Sequence, residues 1–148
     1  MHGSEMAEEF PVISLDADAA EAARLLATHR LPGLIVTDER GRPVAILPGS
    51  QVVRFLVPKY VQDDPALARV VDESLADRLA DKLAGTTVRK LLPEPPPELP
   101  VVKADDTVLE IAALMARLRC PLVAVVDGDR IVGAITASRL LELAVKPQ

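Results

Sequence analysis

Few side chains in this sequence have the chemistry that catalysis or metal binding requires. The chain of 148 residues contains two histidines, His2 and His29, and one cysteine, Cys120. A transition-metal site or a nucleophilic centre needs several such groups close together, and no Cys-x-x-Cys or His-x-x-x-His spacing occurs. A Gly-x-x-x-x-Gly-Lys phosphate-binding loop is also absent from the sequence. The sequence therefore predicts a protein that is not an enzyme and that holds no metal ion.

The remaining histidine and cysteine have simple structural interpretations. His29 lies at the end of a predicted helix, where it would pack partly and interact with the helix C-terminus. Binding of a ligand phosphate, or pH sensing, is the alternative for His29. Cys120 precedes a proline at the start of an apolar segment, as expected of an inert core thiol. Because the chain has one cysteine, a redox pair would require a thiol from a second chain.

The composition excludes several classes of function. Hydrophobic residues make up 49% of the chain, which excludes general disorder. The net charge of −5 and the aromatic content of 2% argue against nucleic-acid binding, which depends on basic surfaces and stacking side chains. No apolar run approaches the ~18 residues of a membrane helix, so no membrane insertion is expected. Since no signal-peptide pattern occurs, we expect a cytoplasmic protein with an N-terminal tail at residues 1–9.

One pattern occurs twice along the chain, 89 residues apart. Residues 10–13 (FPVI) match residues 99–102 (LPVV) at this offset. The helix-capping patterns that begin at Asp18 and Thr107, each followed three residues later by Glu, share it. Each predicted helix is followed by a proline, an apolar strand, an acidic turn, a second strand and a final helix.

This unit predicts an α+β fold made of two β-α-β-β-α repeats, at residues 10–62 and 99–148. Neither repeat alone would bury both faces of so small a sheet. We therefore expect the two repeats to pack on each other as one pseudo-symmetric module.

The segment between the repeats, residues 63–98, begins with a predicted helix. Asp64 and Pro65 are a strong helix start, because Asp caps the helix and Pro suits its first position. Leucines at four-residue steps predict an amphipathic helix over residues 65–84 that ends at Gly85. This helix either packs within its own chain or contacts a second chain or a partner.

A proline-rich strap, residues 93–100, follows this helix. Five of its eight residues are proline, a composition that excludes helix and favours a stiff, extended chain. A semi-rigid connection into the next strand is expected, with a ligand for a proline-recognising domain as the alternative.

The order of the elements and the duplicated motifs resemble a tandem pair of cystathionine-β-synthase (CBS) domains, also called a Bateman module. The resemblance covers about residues 10–57 and 88–145, and residues 127–136 (DGDRIVGAIT) are its most informative part. They are similar to the family segment V-V-D-x-x-G-x-h-h-G-h-h-T-x-x-D, in which h is apolar. The resemblance implies regulation rather than catalysis. It also implies two clefts between the repeats, which in many members bind AMP, ADP, ATP or S-adenosylmethionine.

The same resemblance implies roles for the end of each repeat, where the Thr of Thr-x-x-Asp faces phosphate and the Asp binds the ribose hydroxyls. The second repeat keeps Thr136 but has Arg139 in place of the Asp, and the first has Pro48 and Gln51 at the two positions. The ribose clamp is therefore absent from both repeats. Either the module binds a nucleotide weakly, with arginines meeting phosphate, or it has lost nucleotide binding and acts as a dimerisation or adaptor protein.

Candidate cleft residues follow from the repeated motifs. They are Val12, Arg30, Pro32, Gln51, Val102, Arg119, Pro121, Thr136 and Arg139. Two of them have alternative roles, since Arg139 could form a surface ion pair with Glu142 and Thr136 could cap the last helix.

Apolar residues on the last helix of each repeat predict a contact between chains. They are Val53, Leu56, Leu140 and Leu143. The resemblance implies that such faces stack with two-fold symmetry, so we expect a homodimer. A separate protein, such as a transporter, a channel or a metabolic enzyme, is the expected partner of the module.

Overall fold

Two three-stranded sheets form the framework of the structure, a computed structural model that describes residues 1–70 and 74–145. In the first sheet, β1 (Val12–Ser14) runs parallel to β2 (Gly33–Thr37). β2 in turn pairs antiparallel with β3 (Pro43–Pro48). The strands follow one another in chain order, so a helix must cross from β1 to β2 and a turn joins β2 to β3.

The second sheet repeats this arrangement. β4 (Val101–Lys103) runs parallel to β5 (Leu122–Asp127), which pairs antiparallel with β6 (Arg130–Thr136). Both antiparallel pairs have a break in register at the equivalent position, after Val36 and after Val125. The predicted duplication is therefore confirmed at the level of strand pairing.

The crossing helices are α2 (Ala19–Thr28) and α7 (Val108–Leu118). Asp18 caps α2 by accepting a hydrogen bond from the N–H of the second helical residue at 3.1 Å. At α7 the complete capping box is formed, with Thr107 and Glu110 bonded to each other's backbone. Both helices begin where the sequence predicts, but Asp18 forms only the first bond of its predicted capping box, whereas the box at Thr107 is complete.

The closing helices are α3 (Gly49–Leu56) in the first repeat and α8 (Ala137–Val145) in the second. A short helix, α4 (Lys59–Asp63), follows α3. Each repeat thus has the predicted order of strand, helix, strand, strand and helix.

Each crossing helix is followed by an arginine in the left-handed region, with φ of 52° at both Arg30 and Arg119. Two residues later, Pro32 and Pro121 lead into β2 and β5. Their carbonyl oxygens accept hydrogen bonds from the first N–H of α3 and of α8, at 3.1 and 3.0 Å respectively. The entrance to the second strand is thereby joined to the closing helix in both repeats.

Each repeat has its own core, and a third core lies between the two sheets. This third core contains Ile35, Ile46, Leu122, Ala124 and Ala134. Ile35 and Ile46 of the first sheet correspond in the repeat to Ala124 and Ala134 of the second. The large side chains of one sheet therefore fill the space beside the small ones of the other, as close packing requires.

Two short helices are exchanged between the repeats. α6 (Val88–Leu91), which precedes the second repeat, packs in the core of the first, and α1 (Gly3–Met6), which precedes the first repeat, packs on the second. The first N–H of α6 donates to the carbonyl of Ala17 at 2.9 Å, and the first N–H of α1 donates to that of Asp106 at 2.9 Å. Each core is completed by the helix that leads into the other repeat.

The expectation that residues 1–9 form a tail outside the fold is therefore wrong. Met6 is fully buried in the second core, and Glu8 exchanges two backbone hydrogen bonds of 2.9 Å with Ala134. A helix of four residues is too short to show an apolar period in the sequence, and its partner lies far along the chain.

The segment between the repeats differs in part from the single helix expected over residues 65–84. Pro65–Val70 forms a 3-10 helix, and α5 (Ser74–Leu83) is α-helical and is followed by Gly85 in the left-handed region, with φ of 77°. Residues 71–73 lie outside the described residues. Short 3-10 turns are common both at helix ends and in connecting segments.

The end of α5 packs against the first repeat. Leu83 is buried in its core, and the Lys82 ammonium donates to the carbonyl of Phe55 at 2.9 Å. Of the two alternatives for this helix, the contacts of Lys82 and Leu83 agree with packing within its own chain. The proline-rich strap contains neither helix nor strand, as predicted.

Candidate ligand-binding cleft

A cavity of about 480 Å³ lies between the two repeats. β3 and α3 of the first repeat form one side, and the segment from the end of α7 to the start of β5 forms the opposite side. Residues of the proline-rich strap form a third wall, and we call this cavity the strap-side cleft. Its volume falls in the range of roughly 300–1,000 Å³ that is usual for small-molecule sites.

Three of the nine candidate cleft residues line this cavity. They are Gln51 from the first repeat and Arg119 and Pro121 from the second. A molecule in the strap-side cleft would therefore contact both repeats at once.

Gln51 is held in place by a hydrogen bond to the exchanged helix α6. Its Nε2 donates to the carbonyl oxygen of Leu91 at 3.0 Å. A carboxylate at this position could only accept hydrogen bonds and would face that carbonyl without a donor. The glutamine therefore has a structural role that the ribose-binding aspartate of the resemblance could not fill.

Arg119 is the exposed cation of the cleft that has no ion pair within the described part of the chain. Arg89, which also lines the cleft, pairs with Asp16 at 3.2 Å. Of the two strap acids, Glu98 pairs with Arg117 at 2.9 Å, and Glu94 is exposed to solvent. Arg119 is thus available to a phosphate or carboxylate group of a ligand.

The equivalent residues of the second repeat are engaged with each other and with their own helix. The Thr136 hydroxyl accepts a hydrogen bond from the backbone N–H of Arg139 at 3.1 Å and so caps α8. The Arg139 guanidinium pairs with Glu142 at 3.1 Å, while its buried Nε has no hydrogen-bond partner among the described residues. Both side chains thus have the structural roles that the sequence analysis named as alternatives.

The other candidate residues are not brought into the strap-side cleft. Val102 is 4% exposed and lies in the core of the second repeat, so its expected place in a cleft is wrong. Val101 is the residue that corresponds to Val12 in the strand register, and side chains alternate between the faces of a strand. Arg30 and Pro32 line neither this cavity nor the other one described below.

Comparison with protein families identifies the repeated unit. The family model for the CBS domain matches residues 4–58 and 88–146. The chain belongs to the CBS domain family. Two matched regions make it a tandem CBS pair, as the resemblance implied. No curated protein matches the chain.

Solved structures of other CBS proteins share this fold. A CBS domain-containing protein from Kribbella flavida is 75% identical, with a TM-score of 0.87, and the match covers 99% of each chain. CBSX2 in complex with AMP is 18% identical, with a TM-score of 0.69 over 97% of this chain and 96% of that one. The CBS pair of MJ0100, in complex with 5′-methylthioadenosine and S-adenosyl-L-methionine, is 20% identical, with a TM-score of 0.65 over 97% and 95%.

Sequence reasoning missed the contribution of the strap and of Cys120 to the cleft of this CBS pair. Cys120 packs against the core of the second repeat, as expected, but it is partly exposed and also lines the strap-side cleft. Burial raises the pKa of the Cys120 thiol, so it stays protonated at neutral pH and is a poor nucleophile. The strap could have been recognised from the length of the connection between α6 and β4, which exceeds that between α1 and β1.

A second cavity, of about 650 Å³, lies between the two hairpin turns of the CBS pair and includes Val12 in its lining. Its charged lining consists of Arg40 and Arg130 together with Glu9 and Asp129. Charges of both signs are present in equal number, as they are in the strap-side cleft, so the sum of the charges does not distinguish the two cavities.

The predicted contact surface between chains is only partly exposed. Val53 is 59% exposed, whereas Leu56, Leu140 and Leu143 are half-buried against the cores of their own repeats. Leu141, on the same closing helix as two of them, is 64% exposed. Two closing helices of the CBS pair thus present isolated apolar side chains to solvent.

Residues 1–70 and 74–145 contain neither a cluster of metal ligands nor a membrane-spanning helix. No group of three or more His, Cys, Asp or Glu side chains in these ranges is placed to hold a metal ion. None of the helices described there has both the length and the apolar character that a membrane span requires.

Proposed function

We propose that this CBS pair is a non-catalytic regulatory module that senses an adenine nucleotide in the strap-side cleft and regulates a partner protein. The observation that carries the proposal is the cleft itself: it lies between the repeats, and both contribute polar side chains to it. CBSX2 in complex with AMP, and MJ0100 in complex with S-adenosyl-L-methionine, support adenine compounds as the class of ligand to test.

Population shift is the physical mechanism of the proposed regulation. A ligand that bridges Gln51 and Arg119 would stabilise the relative orientations of the repeats in which both contacts are made. A partner that binds those orientations better would then bind more tightly when the ligand is present, and the ligand would be bound more tightly in the presence of the partner. The partner is a separate protein, such as a transporter, a channel or a metabolic enzyme, and we expect the CBS pair itself in the cytoplasm.

The polar groups of the cleft favour a phosphorylated nucleotide over adenosine. Arg119 offers a charged donor to phosphate, whereas Gln51 offers a neutral amide in place of the carboxylate that would bind ribose. Weak binding that depends on phosphate is therefore expected, and raised salt should weaken it.

A homodimer is the proposed assembly. The exposed side chains of Val53 and Leu141, on the two closing helices, are the apolar groups that a second copy would cover. Association by a two-fold axis would use the same surface on both chains.

Thermal-shift and calorimetric titrations with AMP, ADP, ATP, S-adenosylmethionine and NAD test the proposed ligand. We expect a higher melting temperature and measurable heat with at least one phosphorylated nucleotide, and no effect of adenosine. If none of these compounds changes the melting temperature at millimolar concentration, the sensing function is wrong. A ligand-free adaptor, which the engagement of Thr136 and Arg139 with their own helix favours, would then be the function of the protein.

A further inference from the structure

We infer that this module binds one ligand per chain, in the strap-side cleft, because the chain's own residues 7–11 close the equivalent position on the other side of the module. The inference rests on the proposed function and adds the number and place of the binding sites. Its basis is a difference between the two connections that lead into the repeats.

The two connections differ in length although they join equivalent elements. Five residues, 7–11, separate α1 from β1, whereas nine residues, 92–100, separate α6 from β4. α1 and α6 dock on the opposite repeat through the same backbone hydrogen bonds, so the two connections span equivalent distances. The connection from α6 to β4 is therefore longer than this distance requires, and most of its residues belong to the proline-rich strap.

The shorter connection lies directly on β6. Glu8 and Ala134 exchange two backbone hydrogen bonds of 2.9 Å, so residue 8 extends the second sheet. This approach requires glycine at position 133, because a Cβ on Gly133 would collide with the carbonyl oxygen of Glu8 and would lie 3.3 Å from the Cβ of Ala7. The chain itself thus covers β6 at Ala134, while Val132 and Gly133 remain in the lining of the second cavity beside Glu9 and Phe10.

The connection from α6 to β4 does not pair with β3. Pro93 follows the end of α6 at the same distance as Glu8 follows the end of α1, and proline has no N–H with which to pair. Within the described ranges, no backbone hydrogen bond joins residues 93–98 to β3. Ala45 occupies the position that corresponds to Gly133, which is compatible with a strap that does not approach the strand closely.

The end of the strap that leads into β4 contacts the second repeat. Glu98 forms an ion pair with Arg117 on α7, with oxygen-to-nitrogen distances of 2.9 and 3.4 Å. Prolines between these points lack the N–H groups with which the segment could pair with a strand. The cavity of about 480 Å³ is the space between this strap and β3.

At the equivalent position of the second repeat, the polar groups have other partners. Arg139 pairs with Glu142 and Thr136 caps α8, and neither lines a described cavity. Arg30, which corresponds to Arg119, also lies outside both cavities. Arg30 is exposed and has no ion pair among the described residues, but no described cavity places it beside a ligand.

Titration calorimetry of the full chain with ADP tests the inference. We expect one ADP per chain, and we expect saturating ADP to slow the reaction of Cys120 with N-ethylmaleimide, because this thiol lines the strap-side cleft. Two ADP molecules per chain, or binding that leaves the rate at Cys120 unchanged, would overturn the inference while leaving the sensing function in place. Absence of ADP binding at millimolar concentration would overturn both.

A matched pair of variants locates the site independently. Arg119→Ala should weaken ADP binding about tenfold or more, since a charged hydrogen bond to phosphate is lost. Arg30→Ala removes an arginine with the same φ of 52° from outside the cavities and should leave the affinity unchanged. Comparison of the two melting temperatures corrects for any effect on folding. A loss of affinity in Arg30→Ala with none in Arg119→Ala would place the ligand on the opposite side and overturn the inference.

Discussion

Gln51 donates a hydrogen bond from its Nε2 to the main-chain carbonyl of Leu91, 3.0 Å away and forty residues along the chain. Leu91 ends α6, the helix that precedes the second repeat and packs in the core of the first. One side chain therefore joins the closing helix of the first repeat, the exchanged helix and the wall of the strap-side cleft. A change at Gln51 should alter folding and ligand binding together.

Gln51→Glu should lower the free energy of unfolding by about 1–3 kcal/mol at neutral pH, because a carboxylate cannot donate to the Leu91 carbonyl. Gln62→Glu is the control: Gln62 also donates to backbone carbonyls, of Arg54 and Val57, but it is exposed and water can replace it. Urea denaturation of both variants measures the difference. Equal losses in the two variants would show that burial of the Gln51 contact contributes nothing.

Gly133→Ala should displace Glu8 from β6, because the added methyl collides with its carbonyl oxygen. We expect a loss of about 1–3 kcal/mol and faster hydrogen exchange at the amides of Glu8 and Ala134. Gly49→Ala is the matched control, since the space around Gly49 is open and alanine favours the helix that begins there. Unchanged exchange at Glu8 in Gly133→Ala would mean that the N-terminal segment is not docked as described.

Met6→Ala should cost about 2–5 kcal/mol of stability, as expected for a fully buried core side chain. Met1→Ala, at a residue that is 59% exposed, should change the stability by less than about 0.5 kcal/mol. Chemical denaturation distinguishes the two cases. A small effect at Met6 would support the earlier expectation of an N-terminal tail.

Val53→Asp should convert the expected homodimer into a folded monomer, because it places a charge on the apolar contact surface. Leu109→Asp is the control, at an exposed leucine on the crossing helix α7 of the second repeat. Light scattering coupled to size exclusion gives the mass of each variant, and circular dichroism checks folding. A wild-type protein that has the mass of one chain at tens of micromolar would contradict the dimer.

The reaction of Cys120 with iodoacetamide should be several-fold slower in the native protein than in urea at neutral pH. Burial raises the pKa of the Cys120 thiol, so less thiolate is present in the folded state. The folded protein stabilises the protonated thiol, and this contribution should be lost as the pH rises through the raised pKa. A native rate equal to the rate in urea would show that the thiol is not shielded.

Elements with a strong local signal were predicted correctly from the sequence. The caps at Asp18 and Thr107 began helices as expected, and Gly85 ended one. Each of these signals acts within a few residues, so the surrounding structure has little effect on it. The duplicated order of elements then identified the CBS pair.

The errors arose where the structure depends on distant contacts or on a shift of one residue. Val102 was named as a cleft residue together with Val12, although the match of residues 10–13 to 99–102 makes Val101 the equivalent of Val12. A shift of one position turns a strand side chain to the opposite face. The burial of Met6 depends on a core more than ninety residues away. The cleft exists because the strap does not pack against β3, and no single sequence motif indicates this.

The exchange of α1 and α6 between the repeats determines how a truncated fragment of this chain would fold. A fragment that begins before the first repeat and stops before α6 would contain α1, which completes the core of the absent second repeat. It would lack α6, which completes the core of the first repeat. Such a fragment could bury its apolar face only by trading helices with a second copy, which gives a symmetric domain-swapped dimer. Joining two such copies end to end would produce the arrangement seen here, in which the core of each repeat contains the helix that precedes the other.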